Sequence, residues 1–96
     1  MESKFKSPFQ ERKKVEPLIK RLIDCLIGEK LKVLRVNSGY NAKRRLANLG
    51  IIPGVQIIKK KAAPFRGPIE IIVKGTSLVI GRGIAAKIIV LRENSK

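Results

Sequence analysis

After Gly28 apolar and polar residues alternate with a period of two in several short stretches, and that pattern predicts strands. Leu31 and Val33 flank Lys32, and Val55 and Ile57 flank Gln56. Ile69, Ile71 and Val73 share one face of a segment whose other face carries Glu70 and Lys74. Together with two shorter runs this gives strands at 31–36, 55–61, 68–74, 77–80 and 87–91. Fourteen Ile and seven Val supply the β-branched side chains that a pleated surface favours. The breaks are chemically explicit. Pro64-Phe65-Arg66-Gly67-Pro68 must turn, Gly75 stands where a tight hairpin needs positive φ, and Pro53-Gly54 fits a type II turn.

Two segments carry the longer period of a helix. Over 16–27, Leu18, Ile19, Leu22, Ile23 and Leu26 recur at helical spacing opposite Lys20, Arg21 and Asp24. Pro17 suits its first turn and Gly28 its end. This stripe reads as packing on the chain's own barrel in preference to lying on lipid. Over 42–49, Asn41 is the candidate N-cap, Leu46 and Leu49 the buried stripe, and Gly50 the C′ residue. Short strands separated by turns, with a helix inserted, predict a mainly β chain: a small SH3-like barrel of about five strands with one or two short helices. The domain is expected over 15–92, including its N-terminal helix. A flexible basic arm at 1–14 precedes it and a polar tail at 93–96 follows.

Composition narrows what such a barrel can do. The 22 Lys+Arg outweigh 7 Asp+Glu, for a formal net charge of +15. Residues 1–28 hold seven bases and four acids, whereas 29–96 hold fifteen bases and three acids, so most of the excess belongs to the folded part. There is no His and a single Cys, which excludes an imidazole triad, a Cys/His zinc site and an intrachain disulfide. No two acids stand at i, i+3 or i, i+4, so no metal site, cofactor or catalytic residue is expected. Cys25 reads as a small core residue. Gly81-Arg82-Gly83-Ile84-Ala85-Ala86 matches a dinucleotide fingerprint in form only: ten residues follow it, too few for the next helix and strand, and its glycines read as a turn. No run of 18 apolar residues occurs, and the first 17 residues lack the apolar core of a signal peptide. A cytoplasmic chain, peripheral to the inner face of the cell membrane if attached at all, is the expectation.

The basic clusters are Lys43-Arg44-Arg45 and Lys59-Lys60-Lys61. Three adjacent cations in a strand alternate faces, so one must snorkel or mark the strand's end. Three readings stay open: solvated charge, a positive surface for an acidic protein or an anionic membrane face, and a nucleic-acid contact. Cations early in a helix oppose its dipole, which favours a contact role for Lys43, Arg44 and Arg45.

Arg44-Arg45-Leu46-Ala47-Asn48-Leu49-Gly50-Ile51-Ile52-Pro53-Gly54 resembles the signature of the ferrous iron transport protein A family (FeoA-like domains). Ala63-Pro64-Phe65-Arg66-Gly67-Pro68-Ile69-Glu70-Ile71 resembles that family's second strand–turn–strand stretch, and Gly75 with Arg82, Ala85, Ile88 and Val90 its C-terminal stretch. Leu22, Cys25 and Gly28 stand where the family has two leucines and a glycine, so the resemblance spans roughly 18–91. Gly83 and Ile84 depart from it where acids are common, as does the basic stretch before Val15. The resemblance implies an SH3-like barrel with small helices and a cytosolic accessory role in ferrous iron uptake. The implied partner is ferrous iron transport protein B, a membrane permease with a GTP-hydrolysing cytosolic domain. On that reading Lys43, Arg44, Arg45, Leu49 and Ile52 lie near the contact, while Gly50, Pro53, Gly54, Pro64, Pro68 and Gly75 shape turns. The alternatives are a basic barrel that binds nucleic acid and a transition-metal-sensing domain.

Overall fold

The computed structural model describes residues 18–93. In chain order these form β1 (Ile19–Arg21), a single 3-10 turn (Leu22–Asp24), β2 (Lys30–Val36), α1 (Tyr40–Asn48), β3 (Gln56–Ala62), β4 (Ile69–Val73), β5 (Thr76–Ile80), α2 (Arg82–Ala85) and β6 (Ile88–Arg92). All pairings are antiparallel, in the order β1-β6-β2-β3-β4-β5. The five strands expected from alternation are present, each within a residue or two of its expected bounds, and the chain is mainly β as anticipated. The arm at 1–14, Pro17 and the tail beyond Glu93 lie outside the described residues.

Alternation explains which face is buried. Leu31, Val33, Ile57, Ile69, Ile71, Val73, Ile88 and Val90 point inward, where Leu22, Leu46, Ile51 and Ala85 meet them from the turns and helices. Each fully buried Leu or Ile contributes about 1.5–3 kcal/mol relative to exposure. Register shifts between Val33 and Arg35 and between Lys59 and Lys61 mark bulges, which bend strands and help curl the sheet.

The helix expected over 16–27 does not form among the described residues. Instead Ile19–Arg21 add a sixth strand, with Ile19, Lys20 and Arg21 opposite Leu91, Val90 and Ile89 of β6. Leu22 and Cys25 are buried, but Leu18 and Leu26 are 53% and 57% exposed, so the helical stripe is not the buried one. The physical reason is twofold. A helix this short is marginal alone, and the open edge of β6 offers backbone hydrogen bonds to an extended segment. A 3-10 turn also eclipses residues three apart, so Leu22 and Cys25 reach the core without a longer helix.

Lys59 closes this turn from across the sheet. The strand alternation carries it inward, where it is buried, and its Nζ donates to the carbonyls of Leu22 (3.3 Å), Ile23 (3.1 Å) and Cys25 (2.6 Å). An ammonium has three N–H donors, and all three are used. Burial holds the Lys59 pKa below its ordinary value, opposed by the charge of nearby groups, Cys25 first among them.

The second helix forms, but starts earlier than expected. Gly39 is its N-cap, without a side-chain hydrogen bond, and Asn41 lies inside the first turn. Lys43 N–H donates to the Gly39 carbonyl at 3.0 Å as the first helical bond. Arg45 therefore falls in the last turn, where a cation suits the dipole, and the electrostatic argument for a contact role weakens. Leu46 is buried as expected, whereas Leu49 is half-exposed. Past the helix, Gly50 N–H donates to Ala47 and Ile51 N–H to Leu46, both at 2.9 Å, in a Schellman motif that needs the positive φ of Gly50. Val55 N–H then donates to Ile52 across Pro53-Gly54, closing the type II turn.

Candidate functional site

Helix α1 is a ridge with a recess on either side. Ala42, Arg45, Leu46 and Leu49, spaced at i, i+3, i+4 and i+7, line one recess together with Val79 and Ile80 of β5, Gly81, and Ile84 of α2. It is a mainly apolar cleft of ≈ 360 Å³, with Leu49 and Val79 49% and 65% exposed at its walls. Lys43 and Ala47, four residues apart and a step around the helix, line the other recess of ≈ 270 Å³ with Arg35, Val36, Asn37 and the Ile51-Ile52-Pro53 turn. Arg44 lines neither; helical spacing puts it on the outer crest between them, exposed. The five residues singled out in the sequence thus surround α1 but do not converge: Arg45 and Leu49 share one recess, Lys43 and Ile52 the other.

Val79 and Ile84 were not among the site residues expected from the sequence, where Ile84 stood out only as a departure from the family pattern. Their signal was present for Val79, because adjacent Val79 and Ile80 in one strand must face opposite ways and one of them outward. Ile84 gave none, since its approach to α1 depends on where the α2 turn sits on the barrel.

The cleft's electrostatics are one-sided. Asp24 pairs with Arg21 (2.8 Å), Glu70 with Lys60 (3.5 Å), and Glu29 with both Lys20 and Arg92 (3.7 Å each). No carboxylate among the described residues pairs with Lys43, Arg44 or Arg45. The helix therefore presents unneutralised positive charge beside exposed apolar surface. Larger but shallower is the ≈ 660 Å³ depression on the outer face of β3 and β4, lined by Ile52, Ile58, Ile72 and the Lys74-Gly75 hairpin. Its polar rim and open form make it a weaker recess for an apolar anchor.

Nucleophilic and metal chemistry find little here. Cys25 is buried, its Sγ–H donating to the Arg21 carbonyl at 3.4 Å, and burial pushes its thiol pKa up. A thiol held protonated in this way is a packing group. Among the described residues no three His, Cys, Asp or Glu side chains are grouped so that they could hold a metal ion.

Comparison with known proteins places this geometry in company. The FeoA domain family model matches residues 20–92. A Methanocaldococcus jannaschii protein named "Putative Fe(2+) transport protein A" is 37% identical over 65 residues, covering 66% of this chain and 74% of that protein. The crystal structure of an iron uptake regulatory protein (FeoA) shares 31% identity at a TM-score of 0.70, over 78% of this chain and 97% of its own. The solution structure of the FeoA protein from Chlorobium tepidum shares 28% identity at a TM-score of 0.73, over 79% and 72% of the two chains.

Proposed function

The chain belongs to the FeoA domain family, with the SH3-like fold of that family, and from that membership we propose that it is a non-enzymatic accessory of ferrous iron uptake that docks through α1 on the cytosolic part of the ferrous iron permease, ferrous iron transport protein B. The observation that carries the docking site is the apolar cleft beside α1, walled by half-exposed Leu49 and exposed Val79, with the unneutralised Arg45 at its edge. Interface centres favour apolar anchors and arginine, ringed by groups that exclude water. A partner that straddles α1 meets Arg45 and Leu49 on one side, Arg44 on the crest, and Lys43 and Ile52 on the other. Such a partner presents an apolar residue to the cleft and carboxylates to the ridge. Binding then acts by favouring one of the permease's conformations or nucleotide states, to the extent that the docked surface differs between them.

The test is recovery of the permease from detergent-solubilised membranes on tagged full-length chain. Leu49→Glu is expected to abolish recovery, Arg45→Glu to reduce it at least tenfold, and Arg44→Glu to reduce it less. Both Leu49 and the arginines are exposed enough for the fold to survive, which circular dichroism checks. Equal recovery with Leu49→Glu removes the cleft from the interface. RNA or DNA binding that stays tight at physiological salt would replace this reading with the nucleic-acid one, since the generic pull of a basic chain falls steeply with salt.

A further inference from the structure

The hairpin between β3 and β4 ends in a finger with two consecutive non-glycine residues in the left-handed region. Its tip is Ala63-Pro64-Phe65-Arg66-Gly67-Pro68, closed by Ala63 N–H to the Pro68 carbonyl (2.9 Å) and Gly67 N–H to Pro64 (3.1 Å). Phe65 and Arg66 both have positive φ, 57° and 62°, although neither is glycine. The hairpin between β4 and β5 places Lys74 (φ 50°) and Gly75 (φ 80°) in the same region, so it carries one non-glycine residue there where the finger carries two, and Gly75 takes its positive φ without a Cβ penalty. The strained backbone at the finger holds an aromatic side chain in solvent. Phe65 is 97% exposed, more than any other large apolar residue described, and Ala63, Pro64 and Pro68 around it are exposed too.

Around the exposed ring of Phe65 stands a collar of cations. Arg66 follows Phe65 directly, and exposed Lys60 and Lys61 end β3. Glu70 is the one acid at the finger's base and is neutralised by Lys60 at 3.5 Å. A recess at the base is lined by Lys61, Ala62, Ala63, Pro64, Pro68, Glu70 and Val79. We propose that this finger is a membrane anchor: Phe65 enters the headgroup–acyl boundary of an anionic lipid bilayer while Lys61 and Arg66 meet its headgroups. A protein pocket for Phe65 would need its own walls and matching acids, whereas a bilayer asks only for a protruding apolar tip above a basic collar, which is what the finger presents. Val79 lines both this recess and the cleft beside α1, so a finger in the bilayer brings the cleft close to the membrane surface, where a membrane-embedded partner keeps its cytosolic parts. The anchor itself does not depend on the docking reading, because lipid alone tests it.

The experiment is sedimentation of the full chain with vesicles of phosphatidylcholine alone or of phosphatidylcholine with phosphatidylglycerol, at physiological salt. The chain has no Trp, so Phe65→Trp introduces a single reporter at the tip. Expected are partitioning onto the anionic vesicles only, a blue shift of the Phe65→Trp emission with quenching by brominated lipid, and at least a tenfold loss of partitioning in Phe65→Ser and in Lys61→Gln/Arg66→Gln. Unchanged partitioning of Phe65→Ser, or an unmoved tryptophan on sedimented protein, reduces the binding to the general pull of +15 and overturns the anchor. Absence of sedimentation overturns it as well. So does a Phe65→Ser chain that partitions normally but fails to recover the permease, which would assign the finger to a protein contact. Failure of Leu49→Glu to affect permease recovery bears on the cleft and leaves the vesicle result standing.

Discussion

Lys59 and Phe65 stand six residues apart on one hairpin, and each occupies the place expected of the other. The lysine is buried with all three of its donors taken by carbonyls of the 3-10 turn; the phenylalanine is in water on a strained loop. The difference separates what builds the barrel from what the barrel displays. In the middle of β3 a cation is kept in the core because its ammonium donates to three carbonyls of the 3-10 turn and its end. At the outer end an apolar ring is held out against both hydrophobicity and backbone preference, and nothing in the folded chain gains from it. Satisfied burial marks a structural device, and uncompensated exposure marks a surface meant for something else.

The largest effect belongs to Lys59. Lys59→Met keeps the length of the side chain but leaves the Ile23 and Cys25 carbonyls without their donor, while the Leu22 carbonyl keeps only the Cys25 N–H at 3.2 Å. Losing hydrogen bonds to a charged group costs more than the relief from burying no charge returns, so a net loss of about 2–3 kcal/mol is expected in urea unfolding. Unchanged stability would make Lys59 a tolerated cation and not a keystone, and the contrast with Phe65 would collapse. Alkaline titration sharpens the point. Folding holds Lys59 below its ordinary 10.5, so the unfolded chain binds more protons in the window beneath that value and stability rises with pH there. Folding holds the Cys25 thiol above its ordinary 9.0, so its contribution is present below that value and is lost as pH rises through the folded value. The two slopes oppose each other in the wild type. Lys59→Met should leave only the falling one, and Cys25→Ala only the rising one, seen as opposite shifts of the urea midpoint between about pH 8 and about pH 10.

How far the sequence led follows the same division. Period-two alternation located five strands, and counting on from Ile57 sends Lys59 inward; what could not be read was its partner, because carbonyls of residues 22–25 lie more than thirty residues away. The helical spacing of four between Leu18, Leu22 and Leu26 was real but misleading, since a strand followed by a 3-10 turn buries Leu22 and Cys25, three apart, and leaves Leu18 and Leu26 exposed. In the cleft, Arg45 and Leu49 were legible because they share a helix face. Val79 and Ile84 come from other elements, and no local pattern says that β5 and α2 pack beside α1. For the finger, Pro64 and Pro68 announced a turn, but not that Phe65 and Arg66 would take the left-handed region within it.

A smaller effect of opposite sign is expected at Arg66. A non-glycine residue in the left-handed region costs about 1–2 kcal/mol, and glycine removes that cost while adding freedom to the unfolded chain. Arg66→Gly should therefore stabilise the fold by about 0.5–1 kcal/mol, bringing this turn to the chemistry its sister already has at Gly75. A gain in urea stability accompanied by weaker vesicle binding would show strain kept for a surface role. A loss of stability would mean that Arg66 makes folded-state contacts, and the finger would belong with Lys59.

The smallest effect is the most telling. A side chain that is 97% exposed has no packing to lose, so Phe65→Ser should change the unfolding free energy by no more than about 0.5 kcal/mol in either direction. Serine takes the same backbone conformation with no greater strain than phenylalanine, which leaves the turn's closing bonds from Ala63 and Gly67 in place. The urea midpoint should then stay where it is while partitioning onto anionic vesicles falls at least tenfold, a dissociation between stability and binding that Lys59→Met cannot produce. A drop of more than about 1 kcal/mol would place Phe65 against the barrel in solution, as a core residue merely displaced outward. The tip would then lose its claim to be an element displayed at the expense of the fold, and the exchange of places between Lys59 and Phe65 would be one of position only.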